Sequence, residues 1–438
     1  MSEVTLSESS SLVEQAKPVR SDRIKVPNQI ILTDRWNQLE VYHYEDGTTD
    51  PQLFEFRGIV KDGDVVVCKT FGYSPEVLAN DSEALTSQIT PMLSVDGVRV
   101  YKSYEGTLLR LWNYAGTWHV STHRKIDAFR SKWGHESSYG ELFLRALMPT
   151  MKEKTKISSW ADMDDEETSV SNDENIFAKY CNLLNKNKIY VFCLVTFKEN
   201  RVICNATATE PTLYCIGAFD RSREFAYNME CPETGVPHPE EIKLEDMSID
   251  NIVSAVQAMN PTEHQGVIIV TPDAKSGKVT NTENDRLMKL RGNQPNVVHR
   301  YVQLRWTPDL AEYVALYPEH KSKFDDWERC YKHIVHNILR KYIERFIRNN
   351  RAILPPEQYP VLEAAHKLYK NVLREKKEHV TEAHIDQILG TWQEREVNVL
   401  INKYREREAL TGNGNRMPDS MRDGILTAIK GNKKQVVG

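Results

Sequence analysis

The stretch from Tyr101 to Gly134 decides the fold, and it reads YKSYEGTLLRLWNYAGTWHVSTHRKIDAFRSKWG. Two apolar runs within it, Thr107–Trp112 and Thr117–Thr122, have the composition of β-strands. The sequence Asn-Tyr-Ala-Gly lies between these runs, and its asparagine and glycine are typical of a tight turn. The stretch therefore predicts a β-hairpin.

A short motif, Ser103-Tyr104-Glu105-Gly106, comes immediately before this hairpin. A glycine allows the backbone to approach a ligand closely, and a carboxylate accepts hydrogen bonds from a ribose hydroxyl or orients a lysine. Glu105 and Gly106 at the lip of a hairpin are therefore able to form part of a nucleotide pocket. The alternative is an ordinary turn before a strand, because short motifs often match by chance.

The composition is that of a folded protein with more than one domain. The 438 residues are 40% hydrophobic and 27% charged, and the formal net charge is −5. This length predicts two or three domains, and this balance excludes a chain that is disordered as a whole. The slight negative charge argues against a protein that coats nucleic acid through a generally basic surface, but it leaves local basic patches open.

The sequence also bears on the compartment. It contains no run of 18 apolar residues, so we expect no transmembrane helix and no membrane partner. The polar N-terminus lacks the apolar core of a secretory signal. Seven cysteines without a CxxC pair indicate reduced thiols rather than disulfides or a zinc site. We therefore expect an intracellular protein.

The pattern along the chain predicts an α+β fold. Short strand-like runs separated by turn signals fill residues 26–306, and long helical patterns of mixed charge fill residues 307–410. Residues 1–25 and 411–438 have the composition of loose tails. An antiparallel β-rich domain followed by an all-α domain is thus the expected architecture.

Several individual elements are predicted within the β-rich part. Ile189–Thr196 and Arg201–Ala206 have the pattern of a second hairpin, and Ser248 is placed to cap a helix that ends near Met259. Arg286–Arg291 and Val297–Leu304 are predicted to continue the run of strands before the helices begin.

Five short motifs follow one another in a fixed order through the β-rich part. They are Arg57-Gly58, Lys102 with Ser103–Gly106, Phe192-Cys193-Leu194, Gln265-Gly266 and Lys289-Leu290-Arg291. Each is weak alone, but chance matches would not keep the order. In this order and spacing the chain resembles the covalent nucleotidyltransferase superfamily, specifically bacteriophage-type RNA ligases with an ATP-grasp-like ligase domain.

The resemblance implies a particular chemistry. In that family a lysine three residues before the motif glycine attacks the α-phosphate of ATP and forms a lysyl-AMP intermediate. Carboxylates bind the ribose and a divalent metal such as Mg²⁺, and a Lys-x-Lys strand neutralises the phosphates. ATP and Mg²⁺ are therefore the cofactors that the resemblance implies for an active enzyme.

This chain departs from the family at the nucleophile. The position three residues before Gly106 holds Ser103, and the nearest lysine, Lys102, lies one residue earlier. Because side chains alternate along a strand, a shift of one residue sends Lys102 to the opposite face. Lys102 then reaches an α-phosphate only where a β-bulge corrects the register.

The acidic positions depart as well. Cys193 and Gln265 stand where the family has glutamates. Glutamine still forms hydrogen bonds, but it lacks the charge that holds a metal. Glu105, together with Glu263 near the fourth motif, is the remaining candidate for a metal ligand.

The cationic positions are retained. Arg57, beside Gly58, resembles the arginine that the family places near the nucleotide, and the alternative is a surface arginine on a strand. Lys289 and Arg291 correspond to the Lys-x-Lys pair. His123 lies four residues after His119, about 13 Å away along a strand, which is too far to share one metal. Phosphate contact and a solvated edge both remain open for this pair.

Three hypotheses follow for the function. The first is an RNA ligase-like protein that is catalytically degenerate and binds a nucleotide or an RNA end. The second is an active ATP-dependent RNA ligase that uses Lys102, with Glu105 and Glu263 supporting the metal. The third, from a different class, is a structural component of a large DNA virus particle, which would place the protein in the cytoplasm or nucleus of a host cell. RNA ends or nicks are the expected partners, and the helical domain is available for protein partners.

Overall fold

The structure is a computed structural model that divides into two compact units between Met288 and Lys289. It describes residues 26–27, 29–133, 136–154, 169–195, 197, 201–292 and 297–411. The predicted tails lie outside these residues, apart from Thr411, which ends the last described helix. The division falls earlier than the predicted boundary at 306/307, because the segment from residue 297 onwards is helical and packs with the later helices. None of the helices in these ranges is long and apolar enough to span a membrane.

Sheet 1 is an antiparallel meander of four strands in the order in which they occur in the chain. Its strands are β1 (Ile30–Trp36), β2 (Leu39–Tyr44), β3 (Arg57–Asp62) and β4 (Val65–Cys68). Tight turns join β1 to β2 and β3 to β4, and Gly63 adopts a positive φ of 54° in the second of them.

Sheet 2 has five strands in the order β11-β10-β9-β7-β8. They are β7 (Thr107–Tyr114), β8 (Thr117–Ser121), β9 (Lys188–Val195), β10 (Thr212–Asp220) and β11 (Ala226–Asn228). The predicted hairpin is confirmed as β7 and β8. Its loop is Ala115-Gly116, and both residues have positive φ, as a type I′ turn requires.

The predicted second hairpin is wrong. Residues 201–206 form no strand, and β9 pairs with β7 and β10 instead. The backbone amides of Val202, Ile203 and Cys204 donate to the carboxylate of Glu105, so they are not available for a strand ladder. A side-chain contact that is distant in sequence thus overrides the local strand pattern.

Sheet 3 has four strands in the order β5-β13-β12-β6, and all pairs except the parallel β5–β13 pair are antiparallel. The strands are β5 (Glu76–Leu78), β6 (Arg99–Ser103), β12 (Gly266–Val270) and β13 (Ser276–Thr280). One face packs on α5 (Ile249–Gln257), which Ser248 caps as predicted, and on the helical turns α1 (Ser82–Ala84) and α2 (Thr90–Leu93). The other face is turned towards sheet 2.

Two helices cover the outer face of sheet 2. They are α3 (Tyr139–Lys154), close to the predicted Gly140–Met151, and α4 (Ser169–Asn182). Phe143 of α3 and Tyr180 of α4 are fully buried against the apolar side chains of β9. Sheet 2 therefore has one face closed by helices and the other face available for a site.

The predicted strands Arg286–Arg291 and Val297–Leu304 are helices, α6 (Thr282–Arg291) and α7 (Val297–Leu304). In α6, Glu283 and Asp285 occupy the first turn and Lys289 and Arg291 the last, and this charge order favours a helix through its macrodipole. The remaining helices are α8 (Asp309–Leu316), α9 (Lys321–Tyr342), α10 (Tyr359–Leu368), α11 (Glu382–Gly390) and α12 (Glu394–Thr411). The predicted fold class, an antiparallel β-rich part followed by an all-α part, is confirmed.

Arg305 links three parts of the helical unit. Its guanidinium contacts Glu328 of α9 at 3.0 Å and Asp386 of α11 at 2.8 Å, and it lies 3.8 Å from the ring centroid of Tyr331. The side chain of Arg305 is 14% exposed, so these contacts form in a partly desolvated setting. The two carboxylates and the aromatic ring depend on one cation to bring them together.

Replacing Arg305 with Ala should therefore lower the free energy of unfolding of the helical unit by about 2 kcal/mol, because two partly buried carboxylates lose the guanidinium that they share. Chemical denaturation of the full chain measures the change. Lys332→Ala is the control, since Lys332 contacts the same Glu328 from an exposed position and its removal should cost less than about 0.5 kcal/mol. Equal effects of the two variants would contradict the assigned role of Arg305.

Candidate functional site

A cavity of about 280 Å³ lies where the three sheets of the first unit meet. Its walls come from β3 of sheet 1, from β7, β9 and β10 of sheet 2, and from sheet 3. Six of the residues predicted from the sequence line it: Arg57, Lys102, Ser103, Gly106, Cys193 and Gln265. The structure thus brings together residues from four of the five motifs.

The register between β6 and β12 fixes which side chains face this cavity. The pairing runs without interruption from Arg99 opposite Val270 to Ser103 opposite Gly266. Tyr101 and Ser103 therefore share the face of Ile268, which lines the cavity. The hydroxyl of Ser103 is on the cavity side, and the residue is 2% exposed.

Lys102 also lines the cavity, but its side chain leaves the strand on the opposite face of β6 from Ser103. It is paired with Val267, which belongs to the apolar cluster under α5. Its Nζ contacts Oε1 of Glu240 at 2.8 Å, and its backbone amide donates to the carbonyl of the same residue. The β-bulge that would turn Lys102 into the cavity is absent from the β6–β12 pairing. Lys102 as the nucleophile stays a prediction, and in this structure its ammonium is paired with Glu240.

Gly106 and Cys193 are in direct contact at the sheet 2 wall. A Cβ on Gly106 would lie 2.6 Å from the carbonyl oxygen of Leu194 and 2.7 Å from Sγ of Cys193, so only glycine allows this approach of the chain to β9. Burial raises the pKa of the Cys193 thiol to about 12, and the side chain is therefore neutral. Cys193 supplies a small apolar wall where the resemblance implies a carboxylate.

Glu105 is turned away from the cavity. Its carboxylate accepts hydrogen bonds from the backbone amides of Val202, of Ile203 at 2.7 Å and of Cys204 at 3.0 Å. Its carbonyl accepts from the side-chain amide of Asn205 at 3.2 Å. Glu105 therefore anchors a loop in this structure, and its catalytic and metal-binding roles stay predictions.

The metal site implied by the resemblance is not assembled in the part of the chain that the structure describes. Glu263 is exposed and does not line the cavity. No group of three His, Cys, Asp or Glu side chains among the described residues has the geometry to hold a metal. Within that part of the chain, Glu76 is the one carboxylate that lines the cavity.

Lys278 is a site residue that the sequence analysis missed. Its Nζ donates to Oε1 of Gln265 at 2.8 Å and to Oε1 of Glu76 at 2.7 Å. Burial disfavours the charged form of Glu76, but the Lys278 ammonium and the hydroxyl of Thr280 outweigh it and lower the pKa of Glu76. The cavity therefore contains an ionised lysine–carboxylate pair held beside an amide.

The predicted Lys-x-Lys equivalents lie elsewhere. Lys289 and Arg291 are on α6 rather than on a strand beside β12, and they belong to the second unit. The strand that pairs with β12 is β13, which begins Ser276-Gly277-Lys278. The turn residues just before Lys278 concealed this strand from pattern analysis, although the alternation of Lys278 and Thr280 around Val279 is a detectable signal.

A cationic recess of about 20 Å³ adjoins the cavity, and Arg57 lines both. Arg110 and His123 also line it, and Arg110 is 2% exposed. The guanidinium of Arg110 donates to Oγ of Ser121 at 3.1 Å and to the carbonyl of Gly58. No carboxylate is among the described residues that line this recess, and the guanidinium of Arg57 donates to the carbonyl of Gly72 at 3.3 Å.

Gly58 allows the close backbone packing beside the recess. It has a φ of +73°, and a Cβ there would lie 2.5 Å from the carbonyl oxygen of His123. Close approach of β3 to the end of β8 therefore requires glycine at this position. Gly58 acts through its backbone, and its neighbour Arg57 provides the charge.

His123 belongs to this recess rather than to a solvated edge. Burial, together with the nearby Arg57 and His43, lowers the pKa of His123 to about 3. Nδ1 of His123 and Nε2 of the buried His43 have no hydrogen-bond partner among the described residues. His119 stacks on Trp112 instead, with ring centroids 4.5 Å apart.

Comparison with curated proteins found three viral relatives, whereas no family model matches. The chain is 23% identical over 341 residues to an immediate-early protein ICP-46 homologue of Invertebrate iridescent virus 6. This match covers 76% of this chain and 72% of that protein. It is 26% identical to the homologue of Invertebrate iridescent virus 3 and 27% identical to immediate-early protein ICP-46 of Frog virus 3. The chain spans about half the length of these last two relatives.

Solved structures to which the chain is similar include two RNA ligases. An RNA ligase of Naegleria gruberi, solved with AMP and manganese, is 10% identical and covers 50% of this chain and 58% of that chain, with a TM-score of 0.32. An archaeal ATP-dependent RNA ligase is 8% identical and covers 88% and 77%, also with a TM-score of 0.32. A putative ATP-dependent DNA ligase from Aquifex aeolicus is 11% identical, and the match covers 87% of this chain and 76% of that chain with a TM-score of 0.32.

Replacing Glu105 with Gln should destabilise the loop at residues 202–204 by about 2 kcal/mol, because an amide accepts fewer of the three backbone donors. Hydrogen exchange and limited proteolysis at this loop measure the change. Glu263→Gln, at an exposed position, is the control and should leave both unchanged. A loss of metal binding in the Glu105 variant, with the loop unchanged, would contradict the anchoring role.

The depressed pKa of His123 predicts a pH dependence of stability. In the folded protein His123 stays neutral down to about pH 3, whereas in the unfolded chain it is protonated below about pH 6.5. The free energy of unfolding therefore falls as the pH drops from about 6.5 towards 3. Between pH 7.5 and 5 its contribution should be about 1–2 kcal/mol. His123→Gln should flatten the dependence by this amount in denaturation curves, whereas the exposed control His379→Gln should leave it unchanged. Identical pH profiles for the two variants would refute the burial effect.

Proposed function

We propose that this protein binds a nucleotide non-covalently in the cavity of a ligase-like fold that has lost the adenylylation step. The observation that carries the proposal is the position of Ser103. It faces the cavity where the ligase resemblance implies the attacking lysine, while Lys102 lies on the other face of the strand and contacts Glu240. A serine in place of the amine removes the covalent route without removing the pocket.

The chemistry of the cavity supports a nucleotide as the ligand. Ile268 and Leu108 supply apolar walls for a base, and Phe71 supplies an aromatic one. Gln265 offers an amide for hydrogen bonds, and Arg57 and Lys278 offer cations for phosphate. A volume of about 280 Å³ lies near the lower end of the range for pockets that bind small molecules.

The same residues support binding without a metal. In an active ligase, carboxylates hold a divalent ion against the phosphates. Here Cys193 and Gln265 stand at two of these carboxylate positions, and the carboxylate of Glu105 accepts hydrogen bonds from the loop at residues 202–204. The phosphate charge is then neutralised by Arg57, Lys278 and the cationic recess. The proposal therefore includes a nucleotide, free or at the end of an RNA, and does not require Mg²⁺.

Two other hypotheses are an active ligase and a component of a viral particle. An active ligase that uses Lys102 needs the bulge that the β6–β12 register lacks. A component of a viral particle draws its support from the viral source of the relatives. Mass spectrometry of purified particles tests that reading, and detection of the chain there with no affinity for nucleotides would favour it over the proposal.

Titration of the full chain with ATP should show saturable binding in the presence of EDTA. Lys278→Ala and Arg57→Ala should each weaken it about tenfold or more, because each removes a charge-assisted contact to phosphate. Lys275→Ala, at an exposed lysine outside the cavity lining, is the matched control and should bind normally. Incubation with ATP labelled at the α-phosphate, with Mg²⁺ or Mn²⁺, should give no acid-stable protein–AMP adduct.

Two outcomes would overturn the proposal. An adduct that Lys102→Ala abolishes would establish the active-ligase hypothesis instead. If the wild-type chain binds no nucleotide while circular dichroism shows an intact fold, the cavity is not a nucleotide site.

A further inference from the structure

Three large aromatic side chains are exposed on one part of the first unit. Trp36, Phe129 and Trp133 are 39%, 41% and 44% exposed, whereas Trp112 and Trp327 are buried. Leaving such large apolar surfaces in water is unfavourable, and a group of them often marks a binding surface. Two of the three, Phe129 and Trp133, come from the short sequence Phe-Arg-Ser-Lys-Trp after the hairpin.

Contacts with β1 place this segment beside Trp36. Asp34 accepts from the backbone amide of Ile126 at 3.0 Å and contacts Nζ of Lys125 at 3.3 Å, so the chain after β8 lies along β1. Further along, Cζ of Arg130 lies 5.2 Å from the ring centroid of Trp36. A cation thus stacks on an exposed indole, an arrangement that presents a flat, positively charged surface.

The cations of the segment are not held in salt bridges. Neither Arg130 nor Lys132 forms an ion pair with a residue in the described ranges, although Lys132 adds to the hydrogen bonds from Ser138 in lowering the pKa of the Glu141 carboxyl. Both lie between exposed aromatic rings in the sequence, and Lys132 is itself exposed. Two exposed aromatic rings thus flank two positive charges within five consecutive residues.

We propose that this aromatic–cation platform, which consists of Trp36, Phe129, Arg130, Lys132 and Trp133, binds single-stranded nucleic acid. Every base has a π-face that stacks on an aromatic ring or a guanidinium, and the phosphates pair with the cations. A protein partner fits less well, because burying two unpaired cations in an apolar interface is costly. Duplex nucleic acid fits less well too, since its bases are already stacked.

The course of the chain connects the platform to the cavity. His123 lines the cationic recess, and Arg124 and Lys125 follow it directly on the way to Phe129. An RNA whose terminal nucleotide occupies the cavity would continue over this segment, and its next bases would reach the platform. This connection, unlike the platform itself, rests on the proposed function of the cavity.

Fluorescence anisotropy of a labelled 12-nucleotide single-stranded RNA, titrated with the full chain, tests the proposal. Trp36→Ala, Phe129→Ala and Trp133→Ala should each weaken binding about tenfold through the loss of one stacked base. Trp36→Phe should largely restore it, and this variant remains informative if Trp36→Ala does not fold. Lys132→Ala should lower the slope of log affinity against log salt by about 0.7.

Matched controls make the test specific. Trp306 of the second unit is exposed to a similar degree, and Trp306→Ala should not change RNA binding. Arg223→Ala, at an exposed cation paired with Asp220, should leave the salt slope unchanged. A hairpin duplex of the same composition should bind more weakly than the single strand.

The proposal is overturned if all the platform variants bind RNA as the wild type does, or if the duplex competes as well as the single strand. Retained RNA binding in Arg57→Ala and Lys278→Ala, together with loss of nucleotide binding, would support a platform that acts independently of the cavity. Loss of RNA binding in the platform variants, with ATP binding intact, would support the platform and leave the proposed function of the cavity standing.

Discussion

The uninterrupted register between β6 and β12 is the constraint on which the site depends. Because side chains alternate on a strand, one pairing puts the side chains of Ser103 and Lys102 on opposite faces of β6, although both residues line the cavity. A single extra residue in β6 would exchange the two. The cavity is therefore organised around a serine by backbone geometry, and the neighbouring lysine is committed to Glu240 at 2.8 Å.

Charge is distributed unevenly around the cavity. Cations gather at one end, where Arg57 joins the main cavity to a recess containing Arg110 and His123. The acid that the ligase motif supplies, Glu105, faces the loop at 202–204 instead. This distribution of charge suits the proposed phosphate ligand. Among the described residues that line the cavity, Glu76 is the one carboxylate, and it is paired with Lys278.

The sequence predicts elements better when their signals are local. The β7–β8 hairpin follows from an Ala-Gly loop between apolar runs, and the helix after Ser248 follows from its cap. The approach of four motifs to one cavity also follows from their order. The sequence does not predict Lys278 as a site residue, because turn residues lie directly before it. It does not predict the role of Glu105 either, because that role depends on a contact with residues about one hundred positions away. Arg110 is similarly hidden within an apolar strand, where only the structure shows its partners.

The bonds of Arg110 have a consequence for how a ligand is received. Its guanidinium joins the carbonyl of Gly58 in sheet 1 to Ser121 in sheet 2, so the two sheets are tied at the recess. The recess therefore exists before any ligand arrives and cannot widen without breaking buried hydrogen bonds. Selectivity at this end would come from rigidity. Binding of an anion that matches the fixed opening would cost the protein little conformational entropy, and a bulkier anion would not fit.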